Sequence, residues 1–315
     1  MRTAGLVLGV LAVIGVPSTA VTQDAPGAIE LPARYRGTDI ERAIQSRDWP
    51  RAEESLAAAI EQNPQSTDLL KVLGRVFVID RKPLNAAVAL KKAEAIQPLD
   101  PGSRFTLALA YISMRKGEWA RPELERLIAA DPENATYQYW LGRLDYDAGQ
   151  YAKAIERYQR VIARDPSFVR AYDNLGLCYD ALNQSDQAAS QYRKAVELNR
   201  KLPAAPDGWP ALNLGKLLRT RGDVDEAESL FREALKYNPR FPQAHYQLGI
   251  LLEHKGRMDE ATSELTTAAE LDPEYADPHY ALMRIYQRQG RTADAERALA
   301  TFKRLHDNKP ESSRP

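Results

Sequence analysis

Residues 210–239 read PALNLGKLLRTRGDVDEAESLFREALKYNP. Apolar residues recur there at steps of three and four on either side of Gly222, and Pro239 closes the second run. Such steps line one face of a helix, so the stretch predicts two amphipathic helices joined by a tight turn. Gly222 suits the left-handed residue that ends a helix. Pro239 cannot continue one.

Outward from this stretch the pattern repeats. Leu73, Leu107, Leu141, Leu175, Leu214, Leu248 and Leu282 are separated by 34, 34, 34, 39, 34 and 34 residues. Gly74, Ala108, Gly142, Gly176, Gly215 and Gly249 follow them, and Met283 breaks the rule. Ala52, Ala86, Ala120, Ala154, Ala188, Ala227, Ala261 and Ala295 keep the same steps. Four places later stand Leu56, Leu90, Leu124, Tyr158, Tyr192, Phe231, Leu265 and Leu299. Small residues facing large ones predict two helices that approach closely in each unit. Gly149, Asn183, Gly222, Gly256 and Gly290 hold the turns, and Pro64, Pro98, Pro132, Pro166, Pro239 and Pro273 close units. Gly117 stands two places off this series, which predicts an irregular turn there.

The pattern resembles the tetratricopeptide repeat, carried most closely by Leu175-Gly176, Tyr179, Ala188, Tyr192 and Ala195, and by Leu214-Gly215, Ala227, Phe231, Ala234 and Pro239. The resemblance implies an all-α fold, a right-handed α-solenoid superhelix of about eight helix-turn-helix units. Their expected bounds are near 34–66, 67–100, 101–134, 135–168, 169–207, 208–241, 242–275 and 276–308. Asp145 stands where the family has an aromatic residue, with Tyr146 beside it. Five extra residues fall around Lys201 to Asp207, where the loop chemistry predicts a lengthened connection.

Composition bounds the function. The 315 residues hold 43 Lys or Arg and 43 Asp or Glu, so the net charge is zero. That argues against nucleic acid, which is bound by neutralising phosphates. The single Cys178 excludes an internal disulfide and a Cys-based zinc site. At the amino terminus Arg2, an apolar run from Ala4 to Val16 and Ser18-Thr19-Ala20 read as an export signal over 1–20, cleaved before Val21. The run is short for a membrane span, although an uncleaved anchor is the alternative. A flexible leader is expected over 21–33 and a disordered tail over 309–315. The chain is thus expected to be periplasmic or extracellular, with no membrane span once mature.

No catalytic constellation emerges, so the chain reads as no enzyme, with no cofactor and no metal. His245 and His279 hold equivalent places in adjacent units. No carboxylate at ligand spacing joins them, and they read as ordinary helix residues. Cys178 reads as a buried thiol. Asn134 and Asn183 begin triplets of the glycosylation type, which arise easily by chance.

What remains is surface. In the family the first helices line a concave groove whose ligand contacts flank the Leu-Gly pair. Carried onto this chain, those places give Lys71 and Arg75; Phe105; Tyr139, Trp140, Arg143 and Tyr146; Asp173, Asn174 and Asp180; Asn213, Lys216 and Arg219; Tyr246, Gln247 and Glu253; and Tyr280, Arg284 and Arg288. Asn174, Asn213 and Gln247 form a row of amides, each able to donate to and accept from a peptide backbone. Tyr139, Trp140 and Tyr146 form an aromatic cluster suited to anchoring an apolar side chain if it is exposed. The carboxylate clamp of chaperone-binding members is not matched by any three consecutive units. The resulting expectation is a non-catalytic scaffold binding an extended peptide or protein segment. The alternative is an assembly subunit of a cell-envelope complex that docks through its outer, second helices. Partner identity and oligomeric state stay open.

Overall fold

A computed structural model describes residue 29, residues 31–202 and residues 206–307. The expected export signal, most of the expected leader, the centre of the 201–207 insertion and the expected tail lie outside the described residues. Among the described residues the chain is all α, with sixteen α-helices, one short 3-10 turn and no strand. It divides into two compact units at Arg164 and Asp165.

The amino-terminal unit holds four helical hairpins: α1 (Asp39–Gln45) and α2 (Trp49–Gln62), α3 (Thr67–Ile79) and α4 (Pro83–Ile96), α5 (Pro101–Ser113) and α6 (Gly117–Ala130), α7 (Ala135–Asp147) and α8 (Tyr151–Arg164). Three first helices start on side-chain caps, in which Ser66, Asp100 and Asn134 accept from the backbone N–H of Leu69, Ser103 and Tyr137. Asn134 therefore has a structural task.

The carboxyl-terminal unit holds four more hairpins: α9 (Val169–Ala181) and α10 (Ser185–Arg200), α11 (Trp209–Arg221) and α12 (Val224–Tyr237), α13 (Pro242–His254) and α14 (Met258–Leu271), α15 (Ala276–Arg288) and α16 (Thr292–Asp307). Its first helices lie side by side, α9 against α11, α11 against α13 and α13 against α15. The flanks of the insertion are tied together. The Asn199 amide donates to the Asp207 carbonyl at 2.8 Å and accepts from the Asp207 N–H at 2.9 Å.

The small and large series meet as expected. The alanines of the eight-membered series are buried, seven of them completely. A Cβ added at Gly176 would stand 2.5 Å from Tyr192 Cε1, and one at Gly215 would stand 2.6 Å from Phe231 Cε1. Where a glycine follows the repeat Leu, it thus makes room for the ring or Leu four places after the Ala. Burying each such large residue stabilises the hairpin by about 1.5–3 kcal/mol. Helices α2, α4, α6, α8, α12 and α14 each end two residues before a proline.

One expectation needs correction. The turn before Gly117 is regular. A left-handed residue sits at Arg47, Arg81, Arg115, Gly149, Asn183, Gly222, Gly256 and Gly290, which keeps the repeat spacing throughout. Arg115, at φ 57°, takes the place that glycine was expected to fill, and Gly117 simply begins α6.

Candidate functional site

In the amino-terminal unit the aromatic cluster is not an exposed anchor. Trp140 is 0% exposed, and Tyr139 and Arg143 are buried with it. Tyr139 packs edge-on to Trp140 with ring centroids 5.4 Å apart, and reaches Tyr158 at 6.0 Å. Only Tyr146 is half-buried; it contacts Tyr151 at 5.4 Å and lies under the Arg143 guanidinium at 5.5 Å. Arg143 also pairs with Asp147 at 3.3 Å. Large aromatic area favours burial where the second helix of the hairpin can cover it, and here Tyr158 of α8 meets Tyr139.

Asp145 explains the departure from the repeat pattern beside these rings. It is fully buried, and its carboxylate pairs with Arg121 at 2.8 Å and Arg157 at 2.6 Å. Arg157 also donates to Gln138 at 3.1 Å. A charge replaces the expected ring because α6 and α8 each bring an arginine to it. Nearer the amino terminus, a cleft of about 370 Å³ between α3 and α5 is bordered by Lys71, Arg75 and Ser103. The chain's own Ile29, Leu31 and Pro32 form its other wall.

In the carboxyl-terminal unit the first-helix face is polar and only partly closed. Asn174 and Asn213 are buried, and Gln247 is half-buried. The Asn213 amide nitrogen donates to both carboxylate oxygens of Asp173 at 3.1 Å. Its Oδ1 is buried and finds no hydrogen-bond partner among the described residues, and Gln247 Oε1 on the next first helix is in the same condition. Buried acceptors of this kind cost stability unless water or an occupant of the face supplies a donor.

Charged residues surround this row. Burial pulls the Lys216 ammonium below its usual range; Asp180 and Asp173 oppose that, and Arg219 adds to it. Burial pushes the Asp180 carboxyl up, against the pull of Lys216 and Arg221. Arg219 Nε and Arg284 Nε are buried without an acceptor. Glu253, itself buried, receives Arg284 at 2.6 Å and Arg288 at 3.2 Å. Tyr246 packs at a tilt against Tyr275 with ring centroids 5.2 Å apart, and burial raises its phenol. Tyr280 is 44% exposed, with Arg284 over its ring at 5.6 Å. Asp173 and Glu253 orient their partners rather than face outward. Arg221, absent from the sequence reading, also borders this face, because it closes the last turn of α11.

The remaining candidates have structural surroundings. His245 meets Glu264 Oε2 at 2.6 Å and the Pro239 carbonyl at 3.0 Å. Burial pulls its imidazole down, but these two acceptors outweigh burial and raise it overall. His279 is lowered by burial and by Arg304. Among the described residues no group of His, Cys, Asp and Glu is placed to hold a metal ion. Cys178 is buried and forms no disulfide. No helix there is long and apolar enough to cross a membrane.

Family models described as tetratricopeptide repeat match residues 40–101, 105–144, 141–207, 212–276 and 256–311. The chain is similar to lipopolysaccharide assembly protein B of Escherichia coli K12, 29% identical over 140 residues, which is 44% of this chain and 34% of that protein. It is also similar to the type IV pilus assembly protein PilF of Pseudomonas aeruginosa, 27% identical over 171 residues, covering 50% of this chain and 65% of the relative. The chain thus spans about a third of the first relative's length and just under two thirds of the second's. Among solved structures, a tetratricopeptide repeat protein of Parabacteroides merdae superposes with a TM-score of 0.58 at 21% identity, covering 79% of this chain and 95% of that one. That likeness concerns the fold.

Proposed function

Because the chain belongs to the tetratricopeptide-repeat family, we propose that it is a non-catalytic scaffold whose carboxyl-terminal unit holds an extended polypeptide segment along α9, α11, α13 and α15. The observation that carries this reading is the pair of buried acceptors, Asn213 Oδ1 and Gln247 Oε1, at the same place on adjacent first helices. A bound peptide backbone would supply N–H donors to both. Asp173 fixes the Asn213 amide so that its oxygen, not its nitrogen, is offered. Half-buried Tyr246 and exposed Tyr280 supply apolar surface beside the row. Placement in the cell envelope, after export by residues 1–20, is part of the proposal. Two relatives named for the assembly of lipopolysaccharide and of type IV pili support it.

The test is photocrosslinking from position 280 in the native compartment. Capture of one partner polypeptide that falls about ten-fold in Gln247→Ala, with melting unchanged, is the expected result. Capture unaffected by Gln247→Ala and Asn213→Ala would contradict it.

A second reading has its own observation. Leu84 and Val88 on α4 are 63% and 48% exposed, and Trp119 on α6 is 50% exposed. These lie on second helices of the amino-terminal unit, the surface that an assembly subunit would dock through. Leu84→Glu with Val88→Glu should abolish partner capture under this reading and leave it intact under the first.

A further inference from the structure

The carboxyl ends of α11, α13 and α15 converge on a cleft of about 670 Å³. That is within the range of pockets that enclose a ligand. Its lining includes Arg219, Arg221, Arg284 and Arg288, with Glu253 as its one carboxylate and Val224 and Ile250 among its apolar wall. The whole chain balances 43 cations against 43 anions, so four arginines against one glutamate is a local excess.

Where the internal counter-charges go makes the excess sharper. Glu253 is shared between Arg284 and Arg288, so one carboxylate serves two guanidiniums. Arg221 reaches Asp186 at 2.9 Å, but that carboxylate stands wholly in solvent. Among the described residues Arg219 has no ion pair and its Nε is buried without an acceptor, and Lys216 adds a further positive charge beside it. Cations near helix carboxyl ends offset the helix dipole, which contributes only about 0.3–1 kcal/mol each. That role asks only for a positive charge near the helix end. It does not account for buried, unpartnered Nε donors on Arg219 and Arg284. Guanidinium forks match carboxylates two hydrogen bonds at a time.

We propose that this cleft binds an acidic segment of a partner polypeptide, with Arg219, Arg221, Arg284 and Arg288 receiving its carboxylates. The proposal rests on the reading above, in which a polypeptide lies along the first helices, and it adds the charge of the segment. Glu253 acts as a brace: it holds two guanidiniums at the cleft's edge while neutralising only one of them. The apolar wall of Val224 and Ile250 takes the aliphatic stems of the segment.

The test uses the full chain and a fluorescein-labelled octaglutamate peptide, read by anisotropy. Octaserine, octalysine and a short single-stranded DNA serve as comparison probes. Octaglutamate should bind below about 100 μM and weaken as NaCl rises to about 0.3 M. Octaserine and octalysine should not bind. Arg219→Gln with Arg288→Gln should weaken octaglutamate about ten-fold, as should Arg288→Gln alone by a smaller factor should the double variant lose its fold. Arg193→Gln with Arg240→Gln, which removes the same charge from exposed places in this unit, should change nothing. Absence of octaglutamate binding overturns the proposal, as does equal loss in both double variants. Tighter, cleft-dependent binding of the DNA overturns it in favour of a nucleic acid. If octaglutamate fails while crosslinking at position 280 still depends on Gln247, the acidic-segment proposal falls and the scaffold reading stands.

Discussion

The place immediately before each repeat Leu shows how one register position serves two ends. In the amino-terminal unit it carries Val72, Thr106 and Trp140; in the carboxyl-terminal unit it carries Asn174, Asn213 and Gln247, and in the last hairpin Ala281. All but Gln247 are buried. In the first unit the occupants settle their needs internally by packing, or as Thr106 does by donating to the Gly102 carbonyl at 2.8 Å. Trp140 keeps an indole N–H without an acceptor, but at 0% exposure nothing from outside can reach it. In the second unit Asn213 and Gln247 keep unpaired oxygens on a face that still opens to solvent at Gln247. A buried polar group that its own fold leaves unsatisfied costs stability. Under the proposed function, its retention beside a cationic cleft marks a surface that takes an occupant.

The same contrast holds for charge. Asp145 is enclosed by Arg121 and Arg157 within the first unit, whereas Glu253 in the second leaves its two arginines under-neutralised. The largest expected effects therefore fall on the first unit's stability. Asp145→Ala strands two guanidiniums and should cost about 3–5 kcal/mol in denaturant unfolding. Trp140→Ala should cost a similar amount, about 3–5 kcal/mol, by leaving a cavity. Trp140→Phe should leave partner capture unchanged; loss of capture with melting intact would restore Trp140 as an anchor and break the comparison.

Next in size is Gly215→Val, whose side chain would collide with Phe231 and should cost about 1–3 kcal/mol. An equal change at Gly222 would act through backbone strain instead, because a Cβ there meets nothing within 4 Å. Comparing the two separates close packing from turn geometry.

Smaller effects belong to links between hairpins. Glu228 on α12 receives Lys255 at 2.8 Å, Arg232 at 2.9 Å and Arg257 at 2.8 Å, two of them from the next hairpin's turn. The Lys255 hydrogen bond is the largest cause that holds its carboxyl down at about 2, and burial opposes it. Its folded value is depressed, so its contribution is present above the unfolded value near 4.5 and is lost as pH falls through about 2. Glu228→Gln should remove about 1 kcal/mol at neutral pH and flatten the acid limb of the stability profile. An unaltered acid limb would show that the link contributes nothing. Smallest of all, Arg115→Gly should raise stability by about 0.5 kcal/mol. Relief of a left-handed arginine slightly exceeds the added chain entropy of glycine.

The repeat was legible because its residues are constrained by contact. Ala227, Phe231 and Gly215 can hold only small, large and smallest residues in a tight hairpin, so their spacing shows in the sequence. The turns at Arg47, Arg81 and Arg115 were less legible, since a left-handed residue flanked by two stable helices need not be glycine. The face was half legible. Its register located Asn213, Lys216, Arg219 and Gln247, yet burial depends on neighbours brought by other hairpins. Nothing in the sequence around Trp140 says that α8 covers it. Nothing near Asp145 says that Arg121 and Arg157 meet there, except that a charge in an aromatic's place demands partners.

The central claim is that the carboxyl-terminal unit keeps an unsatisfied polar face for a polypeptide, and Gln247→Leu tests it most directly. Leucine removes the stranded oxygen and keeps the side chain's bulk. Melting temperature and partner crosslinking at position 280 are measured on the same preparation. The expected result is an equal or higher melting temperature together with about a ten-fold loss of crosslinking. A lower melting temperature with crosslinking intact would make Gln247 part of the core and contradict the claim.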